Sequence, residues 1–116
     1  MQATLPKEER LSGKTAIAAL TGKGRWDNTP HLRCCCLKGT GSGLNRIMVS
    51  VPKRLFKRAV KRNLLKRRVR EAYRLNRSRL GDKSYDIFIY YIGKEEEDYG
   101  RIEKSLVALL DDLAAR

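Results

Sequence analysis

From Val60 to Arg77 the chain runs without a glycine or proline and is rich in Leu, Arg, Lys and Ala, all good helix formers. Projected at about 100° per residue, Leu65, Val69, Ala72, Tyr73 and Asn76 share one arc of roughly 100°. Asn63, Lys66, Arg67, Arg70, Arg74 and Arg77 share another arc on nearly the opposite side. The first arc needs a core to pack on. The second is a column of five cations and one amide, repeating at one-turn spacing of about 5.4 Å. A helix face chosen only for solubility interleaves Glu with Lys at i,i+4. Here like charges are stacked, which destabilises the helix until something anionic neutralises them.

The wider segment from Pro52 to Arg79 holds 13 of the chain's 26 Lys and Arg residues and one acid, Glu71, so +12 of the formal net charge of +13 lies there. A near-neutral domain therefore carries one intensely basic segment, as expected of a chain that meets a polyanion. Arg outnumbers Lys on the helix; its planar fork fits phosphate and stacks on exposed bases, which favours structured RNA. A basic amphipathic helix also suits anionic lipid, but this apolar arc offers Ala, Asn and Tyr in place of bulky insertion residues. A reader of the DNA major groove needs a partner helix just before the recognition helix, and the sequence provides none there.

The run Lys61-Arg62-Asn63-Leu64-Leu65-Lys66-Arg67-Arg68-Val69-Arg70-Glu71-Ala72-Tyr73-Arg74 resembles the signature helix of the bacterial ribonuclease P protein subunit. That helix typically reads Arg-Asn-Arg, any residue, Lys-Arg, two more, Arg-Glu, then a small residue and an aromatic. Arg62, Asn63, Lys66, Arg67, Arg70, Glu71 and Tyr73 match position by position, and Leu64 replaces the second Arg of the triplet. The lead-in also matches, from Val49-Ser50-Val51 through the paired Lys53-Arg54. The resemblance implies that Lys53, Arg54, Arg58, Lys61, Arg62, Asn63, Lys66, Arg67, Arg70 and Arg74 dock on a catalytic RNA.

The length of 116 residues suits one domain with a modest core, expected as a single RNA-binding domain over residues 1–116. MQATLPKEERL has no apolar h-region and is not read as a secretory signal. No stretch approaches the roughly 20 apolar residues of a membrane span. The expected location is cytoplasmic, away from any membrane. Ser12 to Leu20 reads as a short helix with Ser12 as N-cap and Gly22 and Gly24 as stops. Gly13-Lys14-Thr15 imitates the end of a phosphate-binding loop, but its required first glycine falls at Glu8. In the resembling family this helix lines a cleft for the single-stranded 5′ leader of precursor tRNA, often with aromatic side chains. The equivalent positions here are Ile17 and Thr21, which cannot stack on a base; Trp26 or tyrosines elsewhere are the available substitutes.

His31 to Leu37 reads as a strand entered through Pro30, with Cys34 and Cys36 on one face and Cys35 on the other. Three adjacent cysteines lack zinc-site spacing, and a disulfide between strand neighbours is badly oriented. Reduced thiols packed in a sheet are the plain reading. By the resemblance this strand also borders the leader cleft, so Cys34 or Cys36 would face substrate. The residues from Lys38 to Gly43 read as a turn and Arg46 to Val51 as a second strand, expected to pair antiparallel with the first. Cations at the start of the basic helix oppose its dipole, while the free N–H groups there suit a phosphate.

Tyr85 to Ile92 is the strongest strand, nearly all β-branched and aromatic. It reads as a central strand, and its Phe88 and Tyr90 fit either a core or the leader cleft. A final helix from about Tyr99 to Leu113 carries the stripe Ile102, Leu106, Leu109, Leu110 and Leu113. The acidic run before it, Lys94 to Asp98, is expected to serve the helix dipole.

No nucleophile–base pair, metal-ligand spacing or motif-bound carboxylate pair emerges, so no catalytic residue and no metal ligand is assigned. The order helix, strand, strand, basic helix, strand, helix predicts an α+β two-layer sandwich, helices on a small mixed sheet with a βαβ crossover. The resembling family has such a fold, ribosomal-protein-S5-domain-2-like. The resemblance implies the protein subunit of ribonuclease P, which assists removal of the leader while the RNA subunit performs hydrolysis with its magnesium ions. The implied partners are the catalytic RNA and precursor tRNA, with no obligatory protein partner and no cofactor held by protein side chains. A non-enzymatic ribosomal or RNA-chaperone-like protein is the alternative use of the same helix.

Overall fold

Six of the seven residues in the strand Tyr85–Tyr91 are apolar or aromatic, and this strand lies inside the sheet. The computed structural model describes residues 22–38, 45–80 and 85–115. Within them the elements are β1 (Arg25–Asn28), β2 (Leu32–Lys38), β3 (Arg46–Ser50), α1 (Ala59–Asn76), a 3-10 turn (Arg77–Leu80), β4 (Tyr85–Tyr91) and α2 (Tyr99–Ala114). The helix expected over residues 12–20 lies outside the described residues.

The four strands order as β1-β2-β4-β3. β2 runs antiparallel to both β1 and β4. β3 runs parallel to β4, so β3, α1 and β4 form the expected βαβ unit. The expected antiparallel pairing of the strands on either side of the glycine-rich turn is corrected: β4 inserts between β2 and β3. Neighbours in sequence usually pair, but β4 is the most apolar strand and gains most from neighbours on both edges.

Alternation along β4 divides the sheet into two faces. Ile87 and Ile89 join Cys34, Cys36, Ile47 and Val49 beneath the two helices, with Leu65, Val69, Ala72 and Tyr73 of α1 and Ile102, Leu106, Leu109, Leu110 and Leu113 of α2. Each large apolar side chain buried this way contributes roughly 1.5–3 kcal/mol of transfer free energy. The buried stripes on α1 and α2 are the ones their helical periodicity predicts. The result is the expected α+β two-layer sandwich with a mixed sheet.

α1 stops short of Gly81. Asn76 turns its side-chain amide back to the Ala72 carbonyl at 2.8 Å, a local bond that competes with the helical ladder. The chain then tightens into the 3-10 turn, which buries Leu80. Asp98 caps α2, its Oδ1 accepting from the Arg101 N–H at 2.9 Å. Arg58, by contrast, gives α1 no side-chain cap, and the first turn of α1 holds no acid.

Candidate RNA interface

The cations of α1 separate by what they touch. Several are neutralised within the fold. Lys61 Nζ meets Glu96 Oε1, and Arg68 Nη1 reaches Glu96 Oε2 at 3.2 Å and the Glu97 carbonyl at 2.6 Å. Arg74 Nε donates to Glu71 Oε1 at 2.8 Å, and Arg79 Nη1 meets Asp111 at 3.1 Å. Lys61, whose bond is the strongest influence, together with Arg68 holds the Glu96 carboxyl below its ordinary range. Of the acidic run expected to serve the α2 dipole, Asp98 caps α2 and the Glu97 carboxylate meets Arg101 of its first turn at 3.3 Å, while Glu96 and the Glu97 carbonyl hold the basic helix.

Tyr91 sets the position of that acidic segment. Its hydroxyl donates to the Glu95 carbonyl at 2.6 Å and accepts from the Glu97 N–H at 3.1 Å. Gly93 makes room for it, because a Cβ there would lie 2.9 Å from the Tyr91 hydroxyl. The close approach of Gly93 to Tyr91 thus fixes the loop that neutralises Lys61 and Arg68.

Lys66 and Arg67, by contrast, make no ion pair with any described residue, and neither do Lys53, Arg54 and Arg58 of the lead-in. Arg67, Arg58, Lys53 and Arg54 are exposed, as is Asn63. Arg70 lies on the same face and is exposed. Arg62 plays a different part from its neighbours. Its Nη1 donates to the carbonyls of Phe56 and Lys57, both at 2.8 Å, and so ties the lead-in loop to the first turn of α1. The result is a one-sided cationic strip, bordered by carboxylates along the α2 side.

The sheet face turned away from the helices presents a second surface. The register places Trp26 beside Cys35, Cys35 beside Phe88, and Phe88 beside Met48, one row across all four strands. Trp26 is 40% exposed. Its ring meets Phe88 edge-on at 6.4 Å, and Phe88 lies 6.0 Å from Tyr90. The Arg33 guanidinium sits 4.4 Å above the Trp26 ring, a cation–π contact. At one end of this face Arg46 holds Asp86 through two bonds, Nε to Oδ1 at 2.8 Å and Nη2 to Oδ2 at 2.7 Å.

Among the residues expected at the leader cleft, Tyr90 lies on this open face, half-buried beside Arg33 and Ser50. Cys34 and Cys36 require a correction. Both point to the helices and are buried in the main core, 3.6 Å apart at sulfur, so neither thiol faces a substrate on the open side. The thiol on the open side is Cys35, packed with Leu37, Met48 and Phe88; burial, with Cys34 adding, pushes it above its ordinary range, and it stays protonated near neutral pH. Ile17 and Thr21 lie outside the described residues. Sequence reasoning misses Arg33 and Met48, although strand alternation through Cys35 and Phe88 is a signal that could find them. Among the described residues no group of three or more His, Cys, Asp and Glu side chains is placed to hold a metal ion, and no helix is long and apolar enough to cross a membrane.

An α+β sandwich with a one-sided cationic helix and a separate aromatic sheet face defines an RNA-binding protein of the ribonucleoprotein type. The ribonuclease P family model matches residues 5–114, and the chain belongs to that family, the protein subunit of the endoribonuclease ribonuclease P. It is 36% identical over 110 residues to the ribonuclease P protein component of Porphyromonas gingivalis, covering 88% of this chain and 80% of that one. Over 112 residues it is 33% identical to the component from Geotalea uraniireducens, covering 97% and 96%. The solved ribonuclease P protein from Thermotoga maritima superposes with a TM-score of 0.77 at 26% identity, over 90% of this chain and 96% of that one. Membership carries association with the RNA of ribonuclease P and a role in tRNA processing.

Proposed function

We propose that the two surfaces divide the work of the subunit. Lys53, Arg54, Arg58, Asn63, Lys66, Arg67 and Arg70 dock on the catalytic RNA, with Arg62 shaping the lead-in; Lys61 and Arg74, expected to join them, are held instead by Glu96 and Glu71. The uncapped start of α1 adds backbone N–H groups for a phosphate, and bound RNA relieves the conflict between that dipole and its cations. The open sheet face takes the 5′ leader of precursor tRNA as a single strand. The observation that carries this assignment is the row of Trp26, Phe88 and Met48 over the buried Cys35, with Arg33 stacked on Trp26. Single strands bind on aromatic platforms beside cations, without regard to sequence. Trp26 supplies the ring that Ile17 and Thr21 lack.

Hydrolysis belongs to the RNA subunit and its magnesium ions, in the cytoplasm where precursor tRNA is made. The protein's side chains neutralise phosphate crowding and hold the leader in line. The test compares binding of precursor tRNA and leaderless tRNA to the assembled RNA–protein particle. Trp26→Ala and Arg33→Ala are each expected to reduce the preference for the leader-bearing substrate, by about fivefold or more for Trp26. A preference unchanged in both variants would overturn the sheet-face assignment.

A further inference from the structure

Between α1 and the start of α2 lies a groove of about 240 Å³ lined by Leu64, Arg67, Arg68, Glu71 and Tyr99. This is smaller than the roughly 300–1,000 Å³ of a drug-sized site, and it suits one flat ring system. We propose that it receives an unpaired nucleobase of the ribonuclease P RNA. The proposal rests on the assignment of the α1 strip to that RNA.

The walls have the chemistry such a base requires. Tyr99 offers a ring fixed at its far end, its hydroxyl donating to Glu103 Oε2 at 3.0 Å. Burial, with Glu103 adding, pushes that hydroxyl up to about 12, so it keeps its proton and its bond at any working pH. Leu64 gives an apolar wall where the signature helix of the family carries a second Arg. Val60, one turn before it and 77% exposed, continues the apolar edge beyond the groove. Glu71 commits Oε1 to Arg74 and lines the same groove with a carboxylate able to accept from a base amino group. Arg67 lines the same groove and makes no ion pair with a described residue, so its guanidinium is available to the phosphate of that nucleotide. Sequence-specific RNA recognition of this kind stacks a splayed base on aromatic or guanidinium planes and reads its edge. A solvated flank would need neither a half-buried Leu64 beside an exposed Val60 nor a groove facing a tyrosine ring.

The test turns on Leu64→Arg, which fills the groove and at the same time restores the cation of the family motif. If α1 binds phosphate only, this variant holds the RNA as tightly as the parent or more so, with a steeper salt dependence. If the groove holds a base, it binds about fivefold or more weakly. Chemical probing of the RNA gives the second readout. In the parent complex one base is expected to be protected at its pairing edge, and that protection is lost in Leu64→Arg and Tyr99→Ala but kept in Tyr99→Phe. Backbone protection by α1, read with hydroxyl radicals, is expected to persist in all of them. Persistent backbone protection with no base protection, or tighter binding by Leu64→Arg, overturns the base pocket alone. Absence of backbone protection in the parent overturns the docking of α1 itself, and the pocket with it.

Discussion

Arg67 and Arg68 are neighbours with the same charge and opposite surroundings, so they separate charge from position. Arg67 is exposed and makes no ion pair with a described residue. Arg68 is three-quarters covered and bonded to Glu96 and to the Glu97 carbonyl. If Arg67 holds one RNA phosphate, Arg67→Ala reduces the slope of log affinity against log salt by about 0.7–0.9. The affinity gap between parent and variant therefore narrows by about threefold when salt rises from roughly 50 to 200 mM. Arg68→Ala leaves the phosphate count unchanged. It removes a charge-assisted hydrogen bond to a carbonyl, which contributes about 1.5–3 kcal/mol, while its partly exposed ion pair adds little. The expected result is a Tm lower by roughly 5 °C or more and an unchanged salt slope. The assays are titration of the catalytic RNA at several salt concentrations and thermal unfolding of the free protein. An equal drop in slope in the two variants would refute the reasoning, since it would show that α1 counts charges without regard to where they point.

Other consequences follow from individual side chains. Asp86→Ala strips Arg46 of its two-bond partner at a nearly buried site and is expected to cost about 2–3 kcal/mol in urea unfolding, less than a fully buried pair because Arg46 is partly exposed; a cost under about 1 kcal/mol would show that water replaces the pair. Gly93→Ala pushes a Cβ against Tyr91 and is expected to cost about 1–3 kcal/mol. Combined with Tyr91→Phe it should cost less than the sum, because both changes disturb the same hydroxyl; strict additivity would separate Gly93 from the acidic loop. Glu96 has its folded pKa depressed by Lys61 and Arg68, so its contribution to stability is full above the ordinary Glu range near 4.3 and is lost as pH falls below it. Glu96→Gln should remove that part of the acid transition, as read by thermal unfolding between about pH 7 and pH 3; an acid profile identical to the parent's would contradict the pairing.

The basic helix is legible in the sequence because two patterns coincide in it. Its apolar positions recur at helical spacing and its cations stack on the far side, so the buried set Leu65, Val69, Ala72 and Tyr73 can be read directly. The same holds for the stripe of α2. Strand partners are harder. β2 and β3 are separated by a short glycine-rich stretch of sequence, which predicts a hairpin, yet the intervening partner β4 lies some forty residues further on and no local signal announces it. β1 has only four residues, Arg25–Asn28, too few to show alternation, although it carries Trp26 into the aromatic row. Alternation puts Cys34 and Cys36 on a common face, as the structure does, but the face expected for them is the wrong one, because a period of two fixes which residues go together and not which side holds the helices. The pairing of Lys61 and Arg68 depends on the acidic loop, which meets α1 only in three dimensions.

The most direct test of the account is cleavage of a precursor tRNA at its 5′ end by the cognate catalytic RNA at low magnesium, with and without this protein. Strong activation by the protein is expected, with no cleavage by the protein alone and with activation reduced in Arg67→Ala but retained in Arg68→Ala below its unfolding temperature. RNA binding without activation would contradict it, leaving α1 as a general RNA-binding helix, and cleavage by the protein alone would place the chemistry on side chains to which the account gives no catalytic part.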